Sequence, residues 1–258
     1  MNIEETIEFA NNKKPYVFRY RQNCENTLSE IAESYIYFPT NEKLNDPFDA
    51  NHKLINIPNN SMAISNWANS LSNNFDNQVA KKYFETFYIN NPKELYNFIN
   101  QNIKAFFSQF GIACFTISPV NLLLWASYAN NHQGICIQYN TDLDKNFFDD
   151  IRLMEYVKEF QKIEYLPETE HESLLNLFYK KLEVWRYEYE LRIIKQQYGK
   201  HNVNPMSIRS IAFGLRSTTD FKDKIIDIVK SKHTHIKLYE SEVLENTYGL
   251  SFTQMEIR

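Results

Sequence analysis

Alternating apolar and polar residues predict several short strands. The segment 185–194 reads Trp-Arg-Tyr-Glu-Tyr-Glu-Leu-Arg-Ile-Ile. Because successive side chains of a strand point to opposite faces, this segment predicts a strand with an apolar back and a charged front that carries Glu188 and Glu190. The same alternation over 16–21 predicts an early strand with Arg19 and Arg21 on one face. A half-exposed strand whose glutamates are neutralised by neighbouring arginines would show the same pattern.

The remaining pattern predicts a mixture of strands and helices. From 61 to 107 the apolar spacing changes to three and four residues, which predicts two or three amphipathic helices in a helical insertion over about 60–108. Further strands are predicted at 35–38, 112–118, 134–139, 163–166, 208–214, 236–239 and 250–257, and further helices at 27–34, 121–129, 172–183 and 219–231. We therefore expect a single α+β domain over 1–258, with a mixed, mostly antiparallel sheet.

Two local motifs carry more detailed expectations. Thr27 and Glu30 have the spacing of a capping box at a helix start. In the segment 44–49, which reads Leu-Asn-Asp-Pro-Phe-Asp, we expect Asp46 and the following proline to fix a turn that Phe48 pins to the core.

Composition limits the choice of partners and compartment. A net charge of −4 and a pI near 5.9 argue against broad, non-specific binding to nucleic acid, which needs a basic surface. Without a long apolar run or a signal-like start, we expect a cytoplasmic protein that does not enter the membrane. Three widely spaced cysteines fit reduced thiols, and the histidine spacing predicts no metal site.

The chain is poor in glycine, which limits how it could hold a nucleotide. Five glycines leave no place for a dinucleotide-binding fingerprint or a phosphate loop. Side chains would have to bind the nucleotide: an arginine the pyrophosphate, an aromatic ring the base by stacking, and a glutamate the ribose. The candidates that project from strands and from the middle of the chain are Arg19, Arg21, Ser127, Tyr128, Glu188 and Glu190.

Five separated motifs resemble those of a bacterial family, domain of unknown function 2971 (DUF2971). They are 18–21, 44–49, 124–129 with His132 and Gly134, 185–192 and 211–214. The order of these motifs is also similar to that of ADP-ribosyltransferases. This resemblance implies that Arg19 or Arg21 holds the phosphates or ribose of NAD and that Tyr128 stacks near the nicotinamide. It also implies that Glu190 is catalytic and is assisted by Glu188. Ser127 stands where many family members have His.

The resemblance makes an NAD-dependent ADP-ribosyltransferase-like enzyme, a toxin or an anti-phage effector, our leading hypothesis. Its acceptor would be a protein or a nucleic acid, and a cognate antitoxin would be a further partner. The alternatives are a non-catalytic nucleotide- or partner-binding module of a bacterial defence system and, less favoured, a metal-dependent nuclease. The transferase hypothesis requires the early arginines and the glutamate pair to converge within about 10 Å, because one dinucleotide must touch both. Placement on opposite faces of the sheet would contradict it.

Overall fold

The computed structural model describes residues 15–169 and 171–256, which form two compact units. The first unit contains the described residues up to Phe38, together with Ile112–Met154 and the chain from Val184 onward. The second contains Pro39–Gly111 and Glu155–Glu183. The chain therefore leaves the first unit twice and returns to it twice.

Fourteen strands occur in the described part of the chain. In order they are β1 Tyr16–Arg21, β2 Tyr35–Phe38, β3 Ile55–Asn56, β4 Gly111–Thr116, β5 Ile135–Asn140, β6 Arg152–Leu153, β7 Glu155–Val157, β8 Ile163–Glu164, β9 Lys180–Leu182, β10 Glu190–Lys195, β11 Gly199–Asn202, β12 Ile208–Phe213, β13 Lys237–Val243 and β14 Leu250–Gln254.

The described helices number eight. They are α1 Glu25–Glu33, α2 Ser61–Ser72, α3 Gln78–Asn90, α4 Pro92–Ser108, α5 Leu122–Ser127, α6 Lys145–Phe148, α7 His171–Leu175 and α8 Thr219–Lys232. None of them is long and apolar enough to cross a bilayer.

The first unit is built on an eight-stranded sheet in the order β14-β13-β12-β5-β1-β4-β10-β6. β1 pairs antiparallel with both β4 and β5. β12 and β13, which are connected by the helix α8, pair in parallel. A second, two-stranded sheet joins β2 and β11. The mixed, mostly antiparallel α+β architecture predicted from the sequence is confirmed.

The second unit holds the helical segment. α2, α3 and α4 span most of 61–108 and are accompanied by two short parallel pairs, β3 with β8 and β7 with β9. Aromatic rings link its elements, as in the stacked pair Phe107 and Phe178, whose centroids are 4.8 Å apart. Lys181 and Asp49 form a buried ion pair at 3.8 Å.

The two faces of the large sheet carry different residues. On one face, Val17 of β1 packs with Ile31 of α1, Ile225 of α8 and the neighbouring strands. On the other, Phe18 and Tyr20 pack with residues in and just after α5. We name the first the arginine face, because Arg19 and Arg21 alternate with Phe18 and Tyr20 and so share the side of Val17. We name the second the tyrosine face.

Several local predictions are wrong. The strand predicted over 185–194 begins only at Glu190, because 183–188 forms a 3-10 helix. Its faces agree with the prediction only in part: Leu191 and Ile193 are buried, but Trp185 and Tyr187 are only half-buried. Glu188, Glu190 and Arg192, predicted on the charged front, are buried as well. The helix predicted over 172–183 ends at Leu175 and gives way to a 3-10 turn and to β9.

The two detailed motif predictions have mixed outcomes. Asp46 does fix its turn, because its carboxylate accepts a hydrogen bond from the backbone N–H of Phe48 at 2.9 Å. Phe48 itself does not reach the core and is 59% exposed. The capping box is also wrong, since the Thr27 hydroxyl donates to the carbonyl of Gln22. The Glu30 carboxylate accepts instead from the backbone N–H of Tyr37.

Candidate functional site

A hydrogen-bonded pair of Tyr128 and Glu188 lies on the tyrosine face. The Tyr128 hydroxyl donates to Oε1 of Glu188 at 2.7 Å, and the Glu188 side chain is buried. The Thr116 hydroxyl on β4 donates to the backbone carbonyl of Glu188 at 2.7 Å. Because Thr116 lies opposite Phe18 in the sheet register, this contact places Glu188 on the tyrosine face.

Asn121 places the Tyr128 helix against the glutamate segment. Its side-chain oxygen caps α5 by accepting from the backbone N–H groups of Leu123 and Leu124. Its side-chain nitrogen donates to the carbonyl of Tyr187 at 2.6 Å. One side chain therefore fixes both the start of the helix that precedes Tyr128 and the backbone just before Glu188.

Glu190 and Arg192 form a two-point ion pair beside this cluster. Arg192 Nε lies 2.6 Å from Glu190 Oε1, and Arg192 Nη2 lies 3.2 Å from Oε2. The two residues are 4% and 0% exposed. They share the tyrosine face because Leu191 and Ile193, which alternate with them, pack into the core of the arginine face. Both oxygens of Glu190 thus meet the guanidinium.

Tyr128 stays protonated in this environment. Burial raises its pKa, and the neighbouring Glu188 carboxylate raises it further, because both disfavour a phenolate. Tyr128 is nevertheless half-buried, so part of its ring remains in contact with solvent. The pair can therefore offer a ligand an aromatic surface next to a carboxylate.

Tyr189 has a strained backbone between the two buried glutamates. Its φ is +45°, in the left-handed region that a bulky L-residue adopts at a cost of about 1–2 kcal/mol. Its N–H donates to the carbonyl of Arg186 at 3.1 Å as the 3-10 helix ends. The side chain is 51% exposed. An exposed aromatic ring thus occupies a position whose backbone favours glycine.

Arg19 and Arg21 lie on the opposite face of the sheet from the two glutamates. Arg21 Nε is 2.7 Å from Glu30 Oε2, and Arg19 Nη2 is 3.7 Å from Glu30 Oε1. Arg19 also donates to the carbonyl of Tyr37 at 3.1 Å and stands over the Phe115 ring. The expectation that these arginines and the glutamate pair converge on one cleft is therefore wrong. Glu30 of α1 holds the arginine charges in the core instead.

Ser127 is exposed at the end of α5, next to Tyr128 but outside the hydrogen bonds described above. Other aromatic side chains of the tyrosine face are half-buried and pack against its core: Tyr16, Tyr187, Tyr239 and Phe252. The face thus combines aromatic surface with buried charge. Within the described residues, no three His, Cys, Asp or Glu side chains form a group that could hold a metal ion.

Two members of this cluster, Thr116 and Asn121, were missed in the sequence. Arg192 was expected to share the face of Glu190 and to neutralise the glutamates, because it lies two residues from Glu190, and it does pair with Glu190. Thr116 and Asn121 carried no such signal. Their contacts with the glutamate segment join residues 66 and 72 positions apart in the chain.

Gly134 and Gly214, which lie in two of the motifs that resemble DUF2971, occupy positions without room for a Cβ atom. A Cβ at Gly214 would collide with the carbonyl of His132, and a Cβ at Gly134 would collide with the carbonyl of Arg21. The N–H of Gly214 donates to the carbonyl of Gly134 at 2.9 Å. The ring of His132 stacks parallel to that of Trp125, with their centroids 5.9 Å apart.

Comparison with known proteins gives a match to a protein family. Neither the curated proteins nor the solved structures contain a match to the chain. Residues 124–242 match the model of a family described as "Protein of unknown function (DUF2971)". The match includes Tyr128, Glu188 and Glu190, whereas the motifs at 18–21 and 44–49 precede it. Residues 124–242 are thus similar to the DUF2971 family, the family that the motifs of the sequence resemble.

Proposed function

We propose that the protein is a nucleotide-binding module and that NAD is its ligand. The observation that carries this proposal is the hydrogen bond between half-buried Tyr128 and buried Glu188 on a sheet face rich in half-buried aromatic rings. A flat heteroaromatic ring can stack on such rings, and a ribose hydroxyl can donate to a carboxylate. Ligand sites are commonly apolar surfaces with a few well-placed polar groups.

Binding without catalysis is favoured by the state of Glu190. A carboxylate that stabilises a ribosyl cation must present its charge to the ribose. Both oxygens of Glu190 already face Arg192, which offsets that charge. Arg19 and Arg21 pair with Glu30 on the arginine face, so neither candidate uses them to hold the phosphates of a nucleotide on the tyrosine face.

ADP-ribosyl transfer is the second candidate, and one observation favours it. Glu188 and Glu190 share the tyrosine face with Tyr128, so the two residues assigned to catalysis do lie beside the residue assigned to the nicotinamide. In the transferase candidate, Glu188 rather than Glu190 is the carboxylate that faces the ribose. A role as a toxin or in phage defence, with a protein or nucleic-acid acceptor and a cognate antitoxin, stays a prediction.

Measuring NAD affinity and nicotinamide release on the same samples tests both candidates. We expect the wild type to bind NAD and Glu188→Gln to bind it at least fivefold more weakly, because the ribose then loses a charged acceptor. The control is Glu33→Gln, an exposed carboxylate on α1 that pairs with Lys200 at 3.0 Å. This variant should bind NAD as the wild type does.

The outcomes separate the two candidates. Binding without nicotinamide release supports the module. Release that falls by about a hundredfold or more in Glu188→Gln, with the control unaffected, supports the transferase, because this is the usual size of a lost transition-state contact. If the wild type neither binds NAD nor releases nicotinamide, both candidates are wrong.

A further inference from the structure

Among the described strands, β14 forms one edge of the eight-stranded sheet, and its inner side pairs with β13 in unbroken register. Just before β14, the carbonyl of Gly249 accepts from the N–H of Leu244 at 3.1 Å. Just after it, the N–H of Met255 donates to the carbonyl of Leu238 at 2.9 Å. Backbone groups in an antiparallel ladder alternate between the two sides of a strand, so the odd-numbered residues of this segment face β13. The N–H and C=O groups that point outwards are therefore those of Leu250, Phe252 and Gln254.

The outer edge of β14 lacks the features that usually keep strand edges apart. Its sequence, Leu-Ser-Phe-Thr-Gln, contains no charged residue and no proline. Native edge strands are commonly very short, charged or interrupted by a bulge. β6, at the other end of this sheet, fits that description, because it is the two-residue strand Arg152–Leu153. β14 instead offers a regular row of donors and acceptors that a further strand can join.

This row is complementary to a second copy of itself. Its outward groups lie symmetrically about Phe252, so two antiparallel β14 strands related by a twofold axis at that residue match each outward N–H to a carbonyl of the other. The residues that then lie opposite each other are Phe252 and its own copy, Leu250 and Gln254, and Ser251 and Thr253. The partial charges of the two edges are complementary, and no like-charged side chains of the two strands meet.

We propose that β14 is a homodimerisation edge, at which a second copy of this chain pairs antiparallel with the first across a twofold axis. This pairing is independent of the proposed function. Leu250 and Phe252 pack on the tyrosine face. Because opposite residues of a ladder point to the same side, the tyrosine faces of both copies lie on one side of the joined sheet. One pair of short strands buries less area than a standard stable interface, so the dimer should be weak, with a Kd of about 10–100 μM.

Sedimentation velocity of the full chain from about 2 to about 500 μM tests the proposal, and we expect a shift from monomer to dimer over this range. Ser251→Lys combined with Thr253→Lys sets like charges opposite each other across the junction and should weaken dimerisation about tenfold. Ser251→Lys combined with Thr253→Glu sets opposite charges there and should dimerise at least as well as the wild type. Pairing of β14 with its own copy predicts this contrast.

A second pair of variants tests the backbone contacts. Gln254→Pro deletes an outward N–H and leaves the bonds to β13 in place, because the N–H of residue 254 faces away from that strand. It should also weaken dimerisation by about tenfold. Gln254→Ala keeps the N–H and should dimerise as the wild type does.

Each contrary result overturns the proposal. A wild type that stays monomeric at the highest concentration excludes a second copy as the occupant of the edge. Dimerisation that survives both the double lysine substitution and Gln254→Pro places the interface elsewhere. If one set of variants misfolds, the other set decides. If both sets misfold, β14 is needed for the folding of each single chain rather than for the junction, and the proposal is overturned as well.

Discussion

The two faces of the sheet around β1 both bury charged groups, but they do so differently. On the arginine face, two arginines of β1 pair with Glu30 of α1. On the tyrosine face, the buried charges adjoin half-buried tyrosines that water can reach. Buried ion pairs on the first face keep the fold intact, because removing one partner leaves an uncompensated charge in the core. On the second face, a buried carboxylate, Glu188, instead accepts a hydrogen bond from a half-buried tyrosine, Tyr128.

The largest loss of stability is expected from a substitution that breaks the ion pairs of the arginine face. Glu30→Gln keeps the shape of the side chain but leaves Arg19 and Arg21 without their carboxylate, and Arg19 is only 7% exposed. We expect a loss of about 3–5 kcal/mol in the free energy of unfolding, measured by denaturant titration. The exposed carboxylate variant Glu33→Gln should change this free energy far less. Equal effects in the two variants would contradict the buried character of the cluster.

A smaller effect is expected on the tyrosine face. Tyr128→Phe removes the hydroxyl that donates to the Glu188 carboxylate, at an expected cost of about 1.5–3 kcal/mol. The matched control is Tyr20→Phe, because the Tyr20 hydroxyl donates to a neutral acceptor, the carbonyl of Ser118, at 3.0 Å. That change should cost about 0.5–1.5 kcal/mol. A control as costly as Tyr128→Phe would show that the charge of Glu188 adds nothing.

The smallest expected effect is a pH dependence at the end of α8. Burial lowers the pKa of His233, which lies 3.4 Å from the Ser34 hydroxyl and is flanked by Lys232 and His235. The unfolded chain therefore binds a proton more readily than the folded one. Stability is fully present above the unfolded pKa, which is about 6.5, and falls as the pH drops from there through the folded pKa.

Comparison with His233→Gln measures this contribution. The free energy of unfolding of the variant should fall less between pH 7 and pH 5 than that of the wild type. Some dependence should remain, because burial also lowers the pKa of His52 and of His132. Identical pH profiles for the two proteins would remove His233 as a source of acid sensitivity.

The sequence predicted regular strands well and the site only in part. β1 and β2 occur where the sequence predicted them: β1 alternates apolar residues with arginines, β2 is a short apolar run, and each is bounded by a turn or a helix. The segment before Glu190 has the same period but is a 3-10 helix. Alternation within a segment does not reveal contacts from distant residues, such as the hydrogen bond from the Asn121 side chain to the carbonyl of Tyr187 in this 3-10 helix.

The sequence also did not predict which side of the sheet each strand face lies on. Alternation shows which side chains of one strand share a face, but it does not show which face of a neighbouring strand lies on the same side. Arg19 and Glu190 each follow their own alternation, yet the register places them on opposite sides. The sequence also did not predict that Glu30 pairs with both arginines, because this pairing depends on how α1 packs against the sheet.

The sheet order also affects how quickly the molecule can form. β1 and β4 are neighbours, and Phe18 pairs with Thr116 although 116 − 18 gives a separation of 98 residues. The middle of the sheet therefore requires closure of long loops before its contacts repay the entropy lost. We expect folding to be limited by this search, while the nearby segments β12, α8 and β13 assemble early. Until β1 meets β4, unpaired strand edges are exposed, and during this interval the chain is most vulnerable to aggregation.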